Sequence, residues 1–173
     1  MKRTRRSGFT LVELLIVIVV IGILSAMMML SSTEAVTSAK ASNIVSNLRN
    51  LKTAATAMFV DYQDYSLTPG LYDGDSTQST NSMDLVVQYM NNAADGNDDL
   101  KAYGIDKDNT GNWFVYYQGG ASANIDSKIQ TKLVGRAKSV GLVCGDSSNN
   151  NKTYTGGNYV GMWVLKSDKD ATN

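Results

Sequence analysis

The chain has 173 residues, of which 43% are hydrophobic, with sixteen basic and sixteen acidic side chains. This length allows one domain with a modest core and leaves little room for a second. There is no histidine, so the commonest metal ligand and the commonest general base are both missing. Because Cys144 is the single cysteine, no intrachain disulfide can form. No catalytic constellation stands out, and we predict neither enzyme activity nor a bound cofactor.

The basic side chains are concentrated at the start of the chain. Four of the sixteen lie within the first six positions: Lys2, Arg3, Arg5 and Arg6. An apolar run of 22 residues follows, from Phe9 to Leu30. As a helix, this run would be about 33 Å long, close to the roughly 30 Å core of a bilayer. Bases before a membrane span hold the N-terminus in the cytoplasm, so everything after Leu30 should be exported.

The apolar run allows two interpretations. One is a secretory signal peptide cleaved near Ala26 or Ala35. Against it, the run is long, continues directly into a helical sequence and contains an acid, Glu13. A carboxylate in lipid costs about 2–3 kcal/mol even on lenient scales, so Glu13 is expected to have a function.

The residues around this acid resemble the class III signal of type IV pilins and pseudopilins. The matching string is Lys-Arg-Thr-Arg-Arg-Ser-Gly followed by Phe-Thr-Leu-Val-Glu-Leu-Leu-Ile-Val, and the resemblance covers about the first 24 residues. It implies that a membrane aspartyl peptidase cuts after Gly8 and methylates the new amino group of Phe9. It also implies that Glu13 meets the N-terminus of a neighbouring subunit in a filament.

Elementary electrostatics favours the same role for Glu13. Two opposite charges in apolar surroundings relieve each other's desolvation cost by pairing. The alternative is that Glu13 only compensates the dipole of its own helix. The chain departs from many family members at Leu30, where they have a proline; its one proline is Pro69. Gly22 and Ser25 are then the weak points that remain in the helix.

No helix-breaking residue occurs between Leu30 and Tyr62. We therefore predict one helix from about Phe9 to Tyr62, with an apolar stripe on its second half formed by Ile44, Leu48, Leu51, Ala55, Met58 and Tyr62. The stripe is expected to pack on a sheet; a coiled coil is the alternative, and the absence of a charged ladder argues against it.

The C-terminal half predicts a small sheet. Residues 63–112 form a polar loop region with a short helix at 84–90 and turn signals at Pro69-Gly70, Asp73-Gly74 and Asp95-Gly96. Strands are predicted at residues 113–118, 139–144 and 158–166. Between the first two strands lies an amphipathic helix, residues 125–137, with Asn124 as N-cap. The fold class is α+β: a long N-terminal helix, membrane-spanning in its first half, packed on a small antiparallel sheet as in pilins.

Other candidate sites are weak. Asp106, Asp108 and Thr110 match the opening of a calcium loop, but Tyr117 stands where the closing acid belongs, so solvated turn chemistry is favoured and no metal is predicted. Asp73 and Asp75 are vaguer still. Asn151-Lys-Thr153 is a formal glycosylation sequon, expected to be a polar loop. The thiol of Cys144 is expected to be buried, with an intermolecular disulfide as the alternative.

These features divide the chain into four predicted parts: a leader (1–8), a membrane and filament-core helix (9–30), its amphipathic continuation (31–62) and a head (63–173). Within the head, a loop region (63–112) precedes the sheet region (113–166), and a polar tail (167–173) follows it. Without the leader, twelve bases face sixteen acids, a net charge of about −4, so no specific nucleic-acid binding is predicted. The resemblance implies a type IV pilus subunit that starts as a single-pass inner-membrane precursor and ends in an extracellular filament. Its implied partners are further copies of itself, prepilin peptidase, and the assembly platform with its ATPase. The alternatives are a pseudopilin of a secretion or DNA-uptake system and a membrane-anchored binding module.

Overall fold

The computed structural model describes residues 8–62, 68–71, 82–90, 100–119, 124–145 and 152–166, without the side chains of Leu30 and Ser31. The predictions for leader residues 1–7, the turns at residues 73–75 and 95–96, Asn151 and the tail 167–173 lie outside the described residues. The chain divides into two compact units, Met1–Thr37 and Ser38–Asn173, which are described in turn.

The first unit contains the start of the predicted long helix. Helix α1 (Leu11–Tyr62) has 52 residues and begins two positions later than the predicted Phe9. Its backbone is helical through Gly22, Ser25 and Leu30, because no proline removes a hydrogen bond there. Up to Met29 its large apolar side chains are 48–87% exposed on all sides of the helix. A helix that is apolar all round belongs in a membrane or a protein core.

In the second unit, α1 is buried on one face only. The predicted stripe is buried at Ile44, Leu48, Leu51, Ala55 and Met58, and Phe59 extends it by placing its ring 5.3 Å from that of Trp113 in the sheet. Packing of the stripe on a sheet is therefore confirmed. The inclusion of Tyr62 was wrong, since this last residue of the helix is 48% exposed.

The sheet of the second unit is antiparallel and has five strands in the described part of the chain; numbered along the sequence with the ranges given next, their spatial order is first, second, third, fifth, fourth. Three strands are those predicted, although each is shorter than expected: β3 (Trp113–Tyr117), β4 (Val143–Cys144) and β5 (Val160–Leu165). The other two, β1 (Gly70–Leu71) and β2 (Tyr103–Lys107), lie in the region predicted as loop. The prediction of three strands was therefore incomplete.

Strand β2 escaped prediction because its sequence, Tyr-Gly-Ile-Asp-Lys, has little intrinsic strand preference. Its glycine is required by packing. A Cβ on Gly104 would lie 2.7 Å from the ring of Tyr116 on β3 and 2.9 Å from the carbonyl oxygen of Gly70 on β1. Gly104 therefore lowers the strand propensity of the sequence, but its missing side chain is what allows β1, β2 and the Tyr116 ring of β3 to pack closely.

Two shorter helices complete the second unit. Helix α2 (Ser82–Gln88) replaces the predicted 84–90. Helix α3 (Ser127–Val140) is capped by Asp126, whose carboxylate accepts a hydrogen bond of 2.8 Å from the backbone of Lys128, so the prediction of Asn124 as cap was wrong. The helix ends at Gly141, which has φ of 77°, and it therefore occupies positions 139 and 140 that were predicted as strand.

The two faces of the sheet are packed differently. Trp113 and Val115 point into the core with α1, whereas Phe114 is fully buried outside that core cluster and contacts Trp163 at 5.8 Å between ring centroids. Cys144, on β4, is partly exposed, with its sulfur 4.0 Å from the carbonyl oxygen of Thr153. The prediction of a buried thiol was wrong: β4 is the last strand of the sheet, and on its outer side it is covered only by a single bridge between Val143 and Thr153.

Glycines at two positions should respond in opposite ways to the same substitution. A Cβ on Gly161 in β5 would lie 2.7 Å from the carbonyl oxygen of Val115, whereas a Cβ on Gly135 in α3 meets nothing within 4 Å. Gly161→Ala should lower the free energy of unfolding by about 1–3 kcal/mol. Gly135→Ala should raise it by about 0.5–1 kcal/mol, because alanine favours the helix. Thermal unfolding of the full chain in detergent, followed by circular dichroism, measures both; equal effects would contradict the packing described for Gly161.

Candidate processing and assembly site

The predicted cleavage position lies just before α1. Gly8, Phe9 and Thr10 precede the first helical residue and are exposed, Phe9 by 88%. Nothing within the described chain requires a glycine at position 8, since a Cβ there would meet no atom within 4 Å and its φ is not among the positive values. If glycine is needed here, the need comes from a partner that approaches the backbone closely.

The beginning of α1 is a reciprocal cap formed by Thr10 and Glu13. One carboxylate oxygen of Glu13, Oε2, accepts hydrogen bonds of 2.8 Å from both the backbone N–H and the hydroxyl of Thr10. The backbone N–H of Glu13 in turn donates to the hydroxyl oxygen of Thr10 at 3.2 Å. This is the capping-box arrangement, which satisfies helix N–H groups that otherwise have no partner.

The capping box changes how Glu13 is understood in a single chain. Compensation of the helix dipole was the alternative role predicted for Glu13. In the structure its carboxylate does lie at the N-terminus of its own helix, where it accepts two hydrogen bonds from Thr10. Both bonds use Oε2, which leaves Oε1 outside the cap. Sequence reasoning missed Thr10, although the spacing Thr-x-x-Glu before an apolar run is a recognised start signal.

The surroundings of Glu13 are apolar. Val12, Leu14 and Val17 are 65%, 60% and 53% exposed, so the side chains next to the carboxylate cover no core within the unit. An 18-residue window of α1 has a mean hydropathy of 2.8 and none of it is buried, which makes the helix long and apolar enough to span a membrane. An ionised group in such a segment is costly unless it is paired or hydrogen-bonded.

The weak calcium candidates lie at the end of β2 and in the hairpin turn that connects β2 to β3. Asp106 is in β2 and accepts from the backbone of Lys107 at 2.7 Å. Asp108 Oδ1 accepts from the backbone and hydroxyl of Thr110 and from the backbone of Asn112, and Oδ2 accepts from the Asn112 amide. Among the described residues, no group of three acidic, histidine or cysteine side chains is arranged to hold a metal. The Asp108 carboxylate stabilises the turn through these hydrogen bonds.

This turn gives a pH-dependent prediction. Partial burial raises the pKa of Asp108, but hydrogen bonds from Thr110 and Asn112 lower it more, so that the pKa lies below its ordinary 3.8. A lowered pKa adds stability above the unfolded-state pKa, and that stability is lost as the pH falls through the folded-state value. Asp108→Asn weakens these hydrogen bonds and should lower the free energy of unfolding at pH 7 by about 1 kcal/mol. For a chain of this size, that corresponds to a decrease in Tm of about 2–4 °C.

The difference in Tm between wild type and Asp108→Asn should shrink as the pH is lowered below 3.8, because the wild-type carboxylate is then protonated as well. Melting curves of the full chain between pH 7 and strongly acidic pH measure this. Asn109→Ala, at an exposed position of the same turn, is the control and should show no such dependence. A difference for Asp108→Asn that stays constant with pH would contradict the role of its charge.

Comparison with known proteins identifies the N-terminal segment. A family model described as the prokaryotic N-terminal methylation motif matches residues 3–29, a stretch that includes Gly8, Phe9, the capping box and the exposed apolar part of α1. This motif belongs to a structural class of proteins and is not the mark of an enzyme family. Searches of curated proteins and of solved structures found no match. From residue 3 to residue 29 the chain carries the class III signal of type IV pilin-like and pseudopilin precursors, continuous with a helix apolar enough to cross a membrane.

Proposed function

We propose that this chain is the precursor of a type IV pilus subunit, a structural protein that polymerises through its N-terminal helix into a surface filament. The observation that carries the proposal is the methylation motif at residues 3–29, continuous with an exposed apolar helix that contains one acid at its start. In this proposal residues 1–8 are the leader, 9–30 the membrane and filament-core segment, 31–62 its continuation and 63–173 the head.

Processing prepares the N-terminus for assembly. Cleavage after Gly8 removes the four bases of the leader and leaves the amino group of Phe9 two residues before the first turn of α1. The peptidase that cuts there also methylates this amino group. Before cleavage, the leader bases hold the precursor with its N-terminus in the cytoplasm and its head outside the inner membrane.

The capping box supports a two-stage role for Glu13. In the membrane-held precursor, the Thr10 bonds partly satisfy the carboxylate and so lower the cost of placing it in lipid. In the filament, the positive amino group of Phe9 from another copy pairs with the same carboxylate, for which Oε1 lies outside the cap. Pairing of two desolvated charges favours the polymer over the separate subunits. In an anchor with no assembly role, this acid would only cap its own helix, and its charge would remain a cost in lipid.

The motif itself is common to pili and pseudopili, so the choice between them depends on the head. After loss of the leader, 165 residues remain, and stretches 72–81, 91–99 and 146–151 are rich in Asp, Asn, Ser, Thr and Gly, which is more polar sequence than a short pseudopilin needs. We therefore favour an exposed pilus subunit, made by prepilin peptidase and an assembly platform with its ATPase, over a pseudopilin.

The test is mass spectrometry of filaments sheared from the native host. A protein in this fraction whose mass begins at Phe9 with one added methyl group supports the whole proposal. Cleavage near Ala26 would instead indicate a secretory signal peptide and overturn it. Processed protein that stays with the membrane, with none in sheared filaments of a host making pili, would favour the pseudopilin.

A further inference from the structure

The unit Ser38–Asn173 contains an open cleft beside the N-terminal end of α3. Its volume is about 460 Å³, which is in the range of small-molecule sites. One wall is α1, the second is the paired ends of β2 and β3, and the third is the segment that leads into α3. All its lining residues belong to the unit Ser38–Asn173, so the cleft does not depend on the membrane part of α1.

The walls of the cleft carry amide side chains. Asn43 and Asn47 lie four residues apart and so share one face of α1, and Asn124 faces the same space from the segment before α3. The Asn47 amide nitrogen donates a hydrogen bond of 3.1 Å to the hydroxyl of Tyr103. This bond fixes the orientation of the Asn47 amide and leaves its carbonyl oxygen for another donor. Amides offer donors and acceptors together, which suits a ligand covered with hydroxyl groups.

One end of the cleft is aromatic. Tyr103 and Tyr117 are opposite each other on β2 and β3, with ring centroids 4.9 Å apart and planes tilted by 50°. Tyr103 is almost fully buried, whereas Tyr117 is partly exposed, and both line the cleft. Burial raises the pKa of Tyr117 above its ordinary 10.0, which moves ionisation of the phenol further from physiological pH. An aromatic ring with a polar tip packs well against the C–H face of a ring-shaped polar molecule.

The charges of the cleft offset each other. Lys40 and Asp126 both line it, and Asp126 already accepts the capping bond from Lys128. A strongly charged ligand would find no matching net charge, and a purely apolar one would leave the amides without partners. A neutral polyhydroxylated molecule meets both requirements.

We propose that this cleft binds a neutral sugar, with the ring of Tyr117 against its C–H face and the amides of Asn43, Asn47 and Asn124 hydrogen-bonded to its hydroxyl groups. The proposed binding is a property of the unit Ser38–Asn173 and does not rest on the proposed polymerisation. On a surface filament it would place a site for neutral glycans on every subunit.

The experiment measures saturation-transfer NMR from the full chain to neutral disaccharides (lactose, maltose and cellobiose), in a detergent without a sugar head group. Dissociation constants in the range of about 0.1–10 mM are expected for at least one of them, as for a single small open site. Glucuronate and glucosamine serve as charged probes and should bind at least about tenfold more weakly.

Two substitutions to leucine separate the cleft from the rest of α1. Asn43→Leu removes an amide of the cleft and should weaken sugar binding at least about tenfold, a loss of about 1.4 kcal/mol. Asn50→Leu is the matched control, because it is the same exposed residue type two turns further along the helix and outside the cleft. Asn124→Leu tests the opposite wall and should also weaken binding, and melting curves verify that all three variants are folded.

Three outcomes would overturn the proposal. These are no saturation transfer from any neutral disaccharide at about 10 mM, equal binding by Asn43→Leu and Asn50→Leu, or stronger binding of a charged probe than of the neutral sugars. Loss of filaments with sugar binding retained would count against the proposed polymerisation alone, so the two proposals fail separately.

Discussion

Replacing Glu13 with alanine is expected to leave leader cleavage intact and to reduce incorporation into filaments by at least about 100-fold. The reason is that the Phe9 amino group of the next copy would enter apolar surroundings without a partner, and an uncompensated charge of this kind costs about 3 kcal/mol or more. The measurement is the ratio of processed protein in sheared filaments to that in membranes. Normal filament yield would contradict the pairing of Glu13 with the N-terminus.

Two control variants divide the roles of this side chain. Glu13→Gln keeps a side chain that can complete the capping box with Thr10 but carries no charge. It should start α1 normally and still assemble poorly; wild-type yield from this variant would mean that only the cap matters. Glu34→Ala removes another exposed acid of α1, outside the apolar run, and should assemble as the wild type does.

Replacing Gly8 with alanine should slow leader removal by at least about tenfold and leave full-length precursor in the membrane. No contact within the described chain explains a glycine at this position, so the effect would arise from the approach of the peptidase to the backbone. Each 1.4 kcal/mol of steric cost in the enzyme complex corresponds to a factor of ten. The precursor is recognised by mass, because it retains the four leader bases.

Gly22→Ala is the matched control for this experiment. Gly22 also has nothing within 4 Å of an added Cβ and lies inside α1, fourteen residues after Gly8. Cleavage of this variant should be normal. Equal processing of Gly8→Ala and wild type, or equal slowing by both substitutions, would contradict cleavage after Gly8.

Much of the helical part of this protein could be predicted from periodicity. The run from Leu11 to Tyr62 has no Pro, and the apolar residues 44 to 58 recur at spacings of three and four, which defines one face whatever packs on it. The predicted start of the helix, Phe9, was two residues too early, because the true start depends on the side chains that form the cap. Thr10 and Glu13 together place the first helical residue at Leu11, two positions after Phe9.

The sheet was only partly predictable because its strands depend on one another. Strand β3 has aromatic and β-branched residues that favour extended structure alone, whereas β2 contains Gly104 and two charged residues. The choice between strand and loop at β2 is made by pairing with β3 and by the Tyr116 ring that covers Gly104. The same interdependence explains β4, which is limited to two residues because α3 continues to Val140.

By itself, the sequence determined what depends on neighbouring positions: the basic leader, the apolar run with Glu13 at its start, the methylation motif and the long helix. These features need only local spacing and hydrophobicity, so they can be recognised without knowing what each residue contacts. Only the tertiary structure decided the pairing of β2 with β3, the exposure of Cys144 and the cleft between α1, β2, β3 and α3. Each of these joins residues that are brought together by folding, and no periodicity in the chain encodes that proximity.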